Sequence, residues 1–500
     1  MLRLSEMFES HMVIQRGRPV PVWGDSDANG RIVHVSIADV ETVALVEHGH
    51  FRATLPSLTA GGPYTLRLQC GKESVICEDV LVGEVWLAGG QSNMEMPLFA
   101  AEGARDYLKQ TNFSNLRIKT ISRRSAGKNG REFGFHFIPE SSDEIPWQIT
   151  TKENIACFSA IGCVMGAKLC QELQVPIGVI SCNFGATRIQ PWISPETIKI
   201  PVFAGDEERF KKRRQALGML AQEAWKIYQR ELEVLLADRD NFVEKSLDDP
   251  LYYWQMDAGL HWPPEYAQGD QNEPCCLYRL MLARVIPFAM RGVVWYQGES
   301  SATFEDCNRY SAEMEALIDD WRKAFENDDL VFLQTQLAAY DTSRRADPCD
   351  WPAIRQAQLN VCNNVRNTYL TNLNGIGEAR NIHPRYKIEA GIRLANTALR
   401  YVYHHKTPVA PQATYIRREG EWLRVGFENG MGLHVEDQVK QLEMGEGKNF
   451  VPVKEWKIEG ESLLIRTGSH AIRYGWHSMP EDNLKNAYNL GATPFYIEEE

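Results

Sequence analysis

Along its first stretch the chain alternates apolar and polar positions, and farther on it switches to unbroken apolar runs. Residues 20–23, 32–37 and 64–68 alternate with period two, which predicts half-buried strands. Turn-forming clusters at 25–30 and 61–63 separate them, so residues 1–80 read as a small β-sandwich-like domain. After residue 81 the runs 82–87, 116–121, 177–182, 292–296, 331–336 and 368–373 predict short buried strands. Amphipathic helical periods at 161–172, 312–325 and 390–402 lie between them. Strands alternating with helices predict a mostly parallel sheet covered on both faces, with the loops that follow the strands along one edge.

Residues 196–272 interrupt that rhythm. The stretch 205–240 is charge-rich and helical in period, with Phe210, Leu217, Leu220, Trp225, Tyr228, Leu232 and Leu235 recurring. The stretch 248–271 reads as irregular and aromatic, carrying Tyr252, Tyr253, Trp254, Trp262 and Tyr266. From about residue 408 alternation returns at 423–427, 456–458, 462–466 and 471–476, predicting a second β region. The expected organisation is three domains: 1–80, 81–405 with the insertion at 196–272, and 406–500.

A chain of 500 residues with 44% apolar and 24% charged residues is a globular protein of several domains. A formal charge of −12 excludes a general electrostatic footprint for nucleic acid. No apolar run approaches the roughly 18 residues of a membrane span, so no membrane partner is expected. The first fifteen residues, MLRLSEMFESHMVIQ, lack the apolar core of a secretory signal, which favours a cytoplasmic protein. An exported form whose signal peptide has been removed is the alternative. The eleven cysteines are scattered, with no Cys-x-x-Cys pair, so reduced thiols are expected rather than a disulfide framework or a zinc site. No metal and no cofactor are expected.

Four stretches carry candidate chemistry. In the first, the apolar run ends at Gly89-Gly90, and Gln91-Ser92-Asn93-Met94-Glu95 follows. Two glycines let the backbone turn sharply and present Ser92 at the carboxyl end of a strand, where open α/β sheets place their sites. A helix-capping Ser in an ordinary strand-to-helix turn fits the same residues. The second is Phe184-Gly185-Ala186-Thr187-Arg188, with Trp192 close behind, again after an apolar run. The third is Trp295-Tyr296-Gln297-Gly298-Glu299-Ser300. The fourth is Gly377-Glu378-Ala379-Arg380-Asn381-Ile382-His383-Pro384, with Pro384 suited to a first helical turn.

Gly90-Gln91-Ser92-Asn93-Met94 resembles the first block of the sialate O-acetylesterase family, carbohydrate acetylesterases of the SGNH (GDSL-like) type. Tyr296-Gln297-Gly298-Glu299 is similar to its most specific block. The resemblance runs from Met12-Val13-Ile14-Gln15 near the start to Pro494-Phe495 near the end. It implies a flavodoxin-like, three-layer α/β/α hydrolase domain flanked by amino- and carboxy-terminal β domains. It also implies a serine esterase that removes O-acetyl groups from sialic acid. An esterase for acetylated xylan or another polysaccharide, and a non-catalytic carbohydrate-binding protein, are the alternatives.

On this reading Ser92 is the nucleophile and His383 the base. The oxyanion donors are the backbone N–H groups of Ser92 and Gly185 and the side-chain amide of Gln297. Gln91, Asn93, Arg188, Trp192 and Glu299 are candidate substrate contacts. Arg188 is suited to meet a carboxylate bidentately, and Glu299 to hold loops or touch substrate. Two departures stand out. Phe184 and Ala186 replace the family's usual Trp and second Gly. Arg380 and Asn381 occupy the positions where relatives carry the acid partner of the histidine. A Ser92–His383 dyad is therefore expected, with Asn381 or Glu378 as the possible third member.

Overall fold

The computed structural model describes residues 1–122, 145–261, 271–345 and 349–499. They form two compact units: Met1–Trp295 with Ala316–Phe332, and Tyr296–Glu315 with Leu333–Glu500.

The first unit is built on one long strand, β1 (Glu73–Gly90). Its first part pairs antiparallel with Gly61–Cys70, and residues 81–83 pair parallel with Val13–Gln15. Its second part pairs parallel with the strand Ile177–Asn183, which pairs parallel in turn with Leu116–Thr120. The short strand Gln148–Ile149 closes that edge antiparallel, and Gly292–Tyr296 flanks β1 on the other side. The sheet is therefore mixed rather than mostly parallel. The boundary expected at residue 80 falls inside β1.

The two parts of β1 have different burial. Residues 73–79 are largely exposed or half-buried, whereas 80–90 are buried without interruption, as a strand covered on both faces must be. At the junction lies Glu84, fully buried. Its carboxylate accepts from Arg16 Nε at 2.6 Å, Arg291 Nε at 2.8 Å and Gln15 Nε2 at 3.0 Å. Burial alone would push its pKa up, but Arg291, Gln15 and Arg16 hold it below the ordinary carboxylate value.

Helix α1 (Ala160–Leu173) packs on the strand Ile177–Asn183. The charge-rich stretch forms the long helix α2 (Asp206–Leu236), followed by α3 (Arg239–Asp248). The irregular aromatic segment expected at 248–271 is instead helical over α4 (Pro250–Gly259). Tyr253 explains this, because its ring packs against Phe99 at 5.6 Å and Phe242 at 6.1 Å and turns the aromatic run into a buried helix face. Trp262 and Tyr266 lie outside the described residues.

In the second unit α5 (Trp351–Asn364) is capped by Asp350, whose Oδ1 accepts from Ala353 N–H at 3.0 Å. The strand Thr368–Thr371 follows, then α6 (Lys387–Tyr401). Beyond residue 411 the chain makes two four-stranded sheets and a two-stranded ribbon. Ser462–Arg466 falls where alternation placed it, and Leu423, Val425, Leu463, Ile465, Ile472, Tyr474 and Phe495 form one core.

Candidate active site

The expected site residues divide between the two units. In the first, β1 ends at Gly90, whose φ of +124° lies outside the range of most side-chain-bearing residues. The chain then folds into a single helical turn at Ser92–Glu95, closed by Met94 N–H and Glu95 N–H donating to the Gln91 carbonyl. That turn is anchored beneath. Ser159 Oγ donates to the Met94 carbonyl at 2.6 Å and accepts from Gly162 N–H, capping α1. Ala160 N–H donates to the Met96 carbonyl at 2.8 Å. Gln91 and Asn93 are buried by this anchoring, while Ser92 is half-buried.

Gly185 lies beside Ser92. A Cβ on Gly185 would stand 3.5 Å from Ser92 Cβ and 2.9 Å from a Glu95 carboxylate oxygen, so only glycine fits undisturbed. Phe184 N–H donates to the Gly90 carbonyl at 3.0 Å, tying the loop to the end of β1. Among the described residues no acceptor takes the Gly185 N–H. Ala186, where the resemblance expects a second glycine, takes the glycine-like φ of +54°.

Two residues placed after Gly185 by sequence reasoning have different surroundings. Arg188 is buried, and its backbone N–H donates to Asn272 Oδ1 at 3.2 Å. Trp192, expected at the substrate mouth, is 0% exposed. Its indole packs edge-on against Trp295 at 6.0 Å, and its Nε1–H donates to Thr187 Oγ1 at 3.3 Å. Its large apolar area is spent in the core, so it does not line a mouth. Just beyond, Asp320 accepts from Ser194 N–H, Ser194 Oγ and Thr197 Oγ1, fixing the exit of the loop.

In the second unit Gln297 follows the strand Gly292–Tyr296 and is fully buried. Its carbonyl accepts from Tyr310 OH at 2.9 Å and Gln358 Nε2 at 3.0 Å, and its side-chain Nε2 donates to Ser301 Oγ at 3.0 Å. Gln358 Oε1 also accepts from Leu337 N–H at 3.0 Å. Sequence reasoning missed Tyr310 and Gln358, because nothing local marks a polar residue buried to satisfy a distant carbonyl.

His383 precedes α6. Its backbone N–H donates to Asn381 Oδ1 at 2.9 Å, an Asx turn that sets the loop. Glu378 accepts from Arg385 N–H at 2.7 Å and Arg385 Nε at 3.0 Å. Lys387, unremarked in the sequence, is 1% exposed, and its Nζ lies 5.7 Å from the centre of the Tyr296 ring. Burial pushes its pKa down to about 7, against the pull of Glu299 and Glu378. Burial, and then the Lys387 charge, push the His383 imidazole down to about 3. Both effects favour the neutral imidazole. Glu299 is buried in the same unit.

Residues 264–400 match the family described as SASA: Carbohydrate esterase, sialic acid-specific acetylesterase. That match covers less than a third of the chain. The matched span contains Gln297, Glu299, Glu378, Asn381 and His383. The chain is 24% identical to the sialate O-acetylesterase of Mus musculus, over 96% of this chain and 90% of that one. It is likewise 24% identical to the Homo sapiens protein of that name, over 96% and 88%. Its fold superposes on a carbohydrate acetylesterase from Xanthomonas citri with a TM-score of 0.76 and 25% identity, each chain covered in full. The chain is thus a carbohydrate esterase, a carboxylic ester hydrolase. Among the described residues no cluster of His, Cys, Asp or Glu is placed to hold a metal ion, and no helix is long and apolar enough to cross a membrane.

Proposed function

We propose that the chain is a serine esterase that removes O-acetyl groups from sialic acid. The observation that carries this reading is the Ser92 turn at the end of β1 with Gly185 beside it, whose N–H no acceptor takes among the described residues. A nucleophilic hydroxyl next to a free backbone donor is what acyl transfer needs.

Ser92 Oγ attacks the acetyl carbonyl carbon, and its proton passes to neutral His383. The carbonyl becomes an oxyanion held by the N–H groups of Ser92 and Gly185 and the side chain of Gln297. Collapse breaks the bond to the sugar oxygen, which leaves with the proton from His383. Water then attacks the acetyl-enzyme, again giving its proton to His383, and acetate departs as Ser92 recovers its proton. No metal or organic cofactor takes part.

Neither Glu378 nor Asn381 is proposed as an acid partner of His383. Glu378 is occupied by Arg385, and Asn381 is occupied by the backbone of His383. This supports a dyad. The lowered pKa keeps the accepting nitrogen unprotonated far into the acid range, while making the imidazolium expensive in the transition state. A carboxylate partner would have the opposite effect on both.

Sialic acid is favoured by the names of the curated relatives. The carbohydrate acetylesterase from Xanthomonas citri favours a second reading, a broader range of acetylated sugars. Acetate release from O-acetylated sialic acid against acetylated xylan decides between them. Turnover of p-nitrophenyl acetate by wild type and by Ser92→Ala tests the esterase reading itself. Full activity in Ser92→Ala would overturn it and leave a carbohydrate-binding role.

A further inference from the structure

We infer that Asn272 is a positioning residue of the esterase, whose side-chain amide holds the turn at Ala186 and through it aims the Gly185 N–H. The inference rests on the proposed role of Gly185 as oxyanion donor. Asn272 lies at the end of the insertion, far from Gly185 in sequence, and is 5% exposed. Its Nδ2 donates to the Ala186 carbonyl at 2.9 Å, and its Oδ1 accepts from Arg188 N–H at 3.2 Å. One planar amide thus takes up the two peptide groups that flank Thr187, fixing the orientation of both.

The turn needs holding. Ala186 has φ of +54°, a left-handed conformation that side-chain-bearing residues rarely adopt. Released from Asn272, the Ala186 backbone would relax toward negative φ and carry with it Thr187, whose two flanking peptides Asn272 holds. The neighbouring bonds show where such a movement would be felt. Thr187 Oγ1 donates at 2.7 Å to the Phe184 carbonyl, the other end of the planar peptide that carries the Gly185 N–H, and Phe184 N–H donates to the Gly90 carbonyl at 3.0 Å. Cys275 N–H donates to the Gln190 carbonyl at 3.0 Å, fixing the far end. A shift of Thr187 therefore turns the Phe184–Gly185 peptide, and Asn272 restrains that shift. An oxyanion donor displaced by about an ångström loses most of its effect.

The experiment is a double-mutant cycle read by steady-state kinetics on p-nitrophenyl acetate, with thermal unfolding measured on each variant. Asn272→Ala is expected to lower kcat about ten- to hundredfold while KM changes less than about threefold, as loss of a donor acting in the transition state should. Ala186→Gly, added to Asn272→Ala, supplies a residue that takes positive φ without strain. It is expected to raise kcat at least about fivefold more in that background than in wild type, the non-additivity of coupled residues. Asn272→Asp keeps the acceptor for Arg188 N–H but sets a carboxylate oxygen against the Ala186 carbonyl, so it should lose kcat as well. Wild-type kcat in Asn272→Ala overturns the inference, as does a loss that follows the fall in melting temperature and is not relieved by Ala186→Gly. In either case Ser92→Ala remains inactive if the esterase reading is right. Activity in Ser92→Ala would instead remove the reading on which the inference rests.

Discussion

Around Ser92 the backbone carries the arrangement, whereas around His383 ionisable side chains carry it. The Ser92 turn is set by Gly90, by hydrogen bonds to main-chain carbonyls and by a Gly185 at which a Cβ would press on the Glu95 carboxylate. The His383 loop is set among Lys387, Glu378, Arg385 and the nearby Glu299: the two carboxylates pull the Lys387 pKa up, and the Lys387 charge pushes that of His383 down. The first should therefore respond to changes of shape and be nearly indifferent to pH. The second should respond to pH and charge.

The largest expected effect breaks both sides alike. Ser92→Ala and His383→Ala should each lower kcat by at least about a thousandfold, and the double variant should be no worse than the worse single one, as for residues that act as a unit. Additive losses in the double variant would mean that the two do not share a step. Next comes Gln297→Ala, for which the loss of one oxyanion donor should cost about 3 kcal/mol, on the order of a hundredfold in kcat. Gly185→Ala sharpens the contrast. Its methyl would push on the Glu95 carboxylate at 2.9 Å, lowering kcat by about tenfold. Glu378→Ala should leave most of the turnover in place. A loss as large as that of His383→Ala would restore a catalytic triad.

The smallest effects are in pH. The His383 pKa falls from 6.5 to about 3 on folding, so between those values the unfolded chain binds a proton that the folded chain does not. Stability from this residue is therefore present above 6.5 and declines as the pH drops toward 3. Lys387, lowered from 10.5 to about 7, makes stability rise with pH across that upper window. Lys387→Met should abolish the rise in melting temperature between pH 7 and 10.5, and removal of its positive charge should move the acid limb of kcat/KM upward. An unchanged acid limb would mean that burial alone sets the His383 pKa.

What the sequence reveals follows the same contrast. Ser92 is legible because an apolar run broken by two glycines is a local signal. The strands 462–466 and 423–427 are legible because Leu463 and Ile465, like Leu423, Val425 and Phe427, recur with period two and enter one core. Helix α5 is not, since Arg355 and Gln358 are buried on it and spoil the apolar period. Arg355 donates to the carbonyls of Leu337, Ala338, His477 and Ser478, and those partners are invisible in a linear reading. Asn272 and Lys387 escape notice for the same reason. The boundary at residue 80 misleads because the hydrophobic period changes there while β1 does not end. The period reports how many faces of a strand are covered, not where a unit stops.

Because β1 is continuous, the amino-terminal β region is not a detachable accessory. A chain trimmed to begin at residue 81 would strip away Val13–Gln15 and Gly61–Cys70, baring the strand's hydrogen-bonding edge to any other copy in solution. It would also take Arg16 and Gln15 from Glu84, leaving that interior carboxylate with Arg291 alone. Such a fragment should clump rather than hydrolyse anything, even though every residue assigned to chemistry would still be on it.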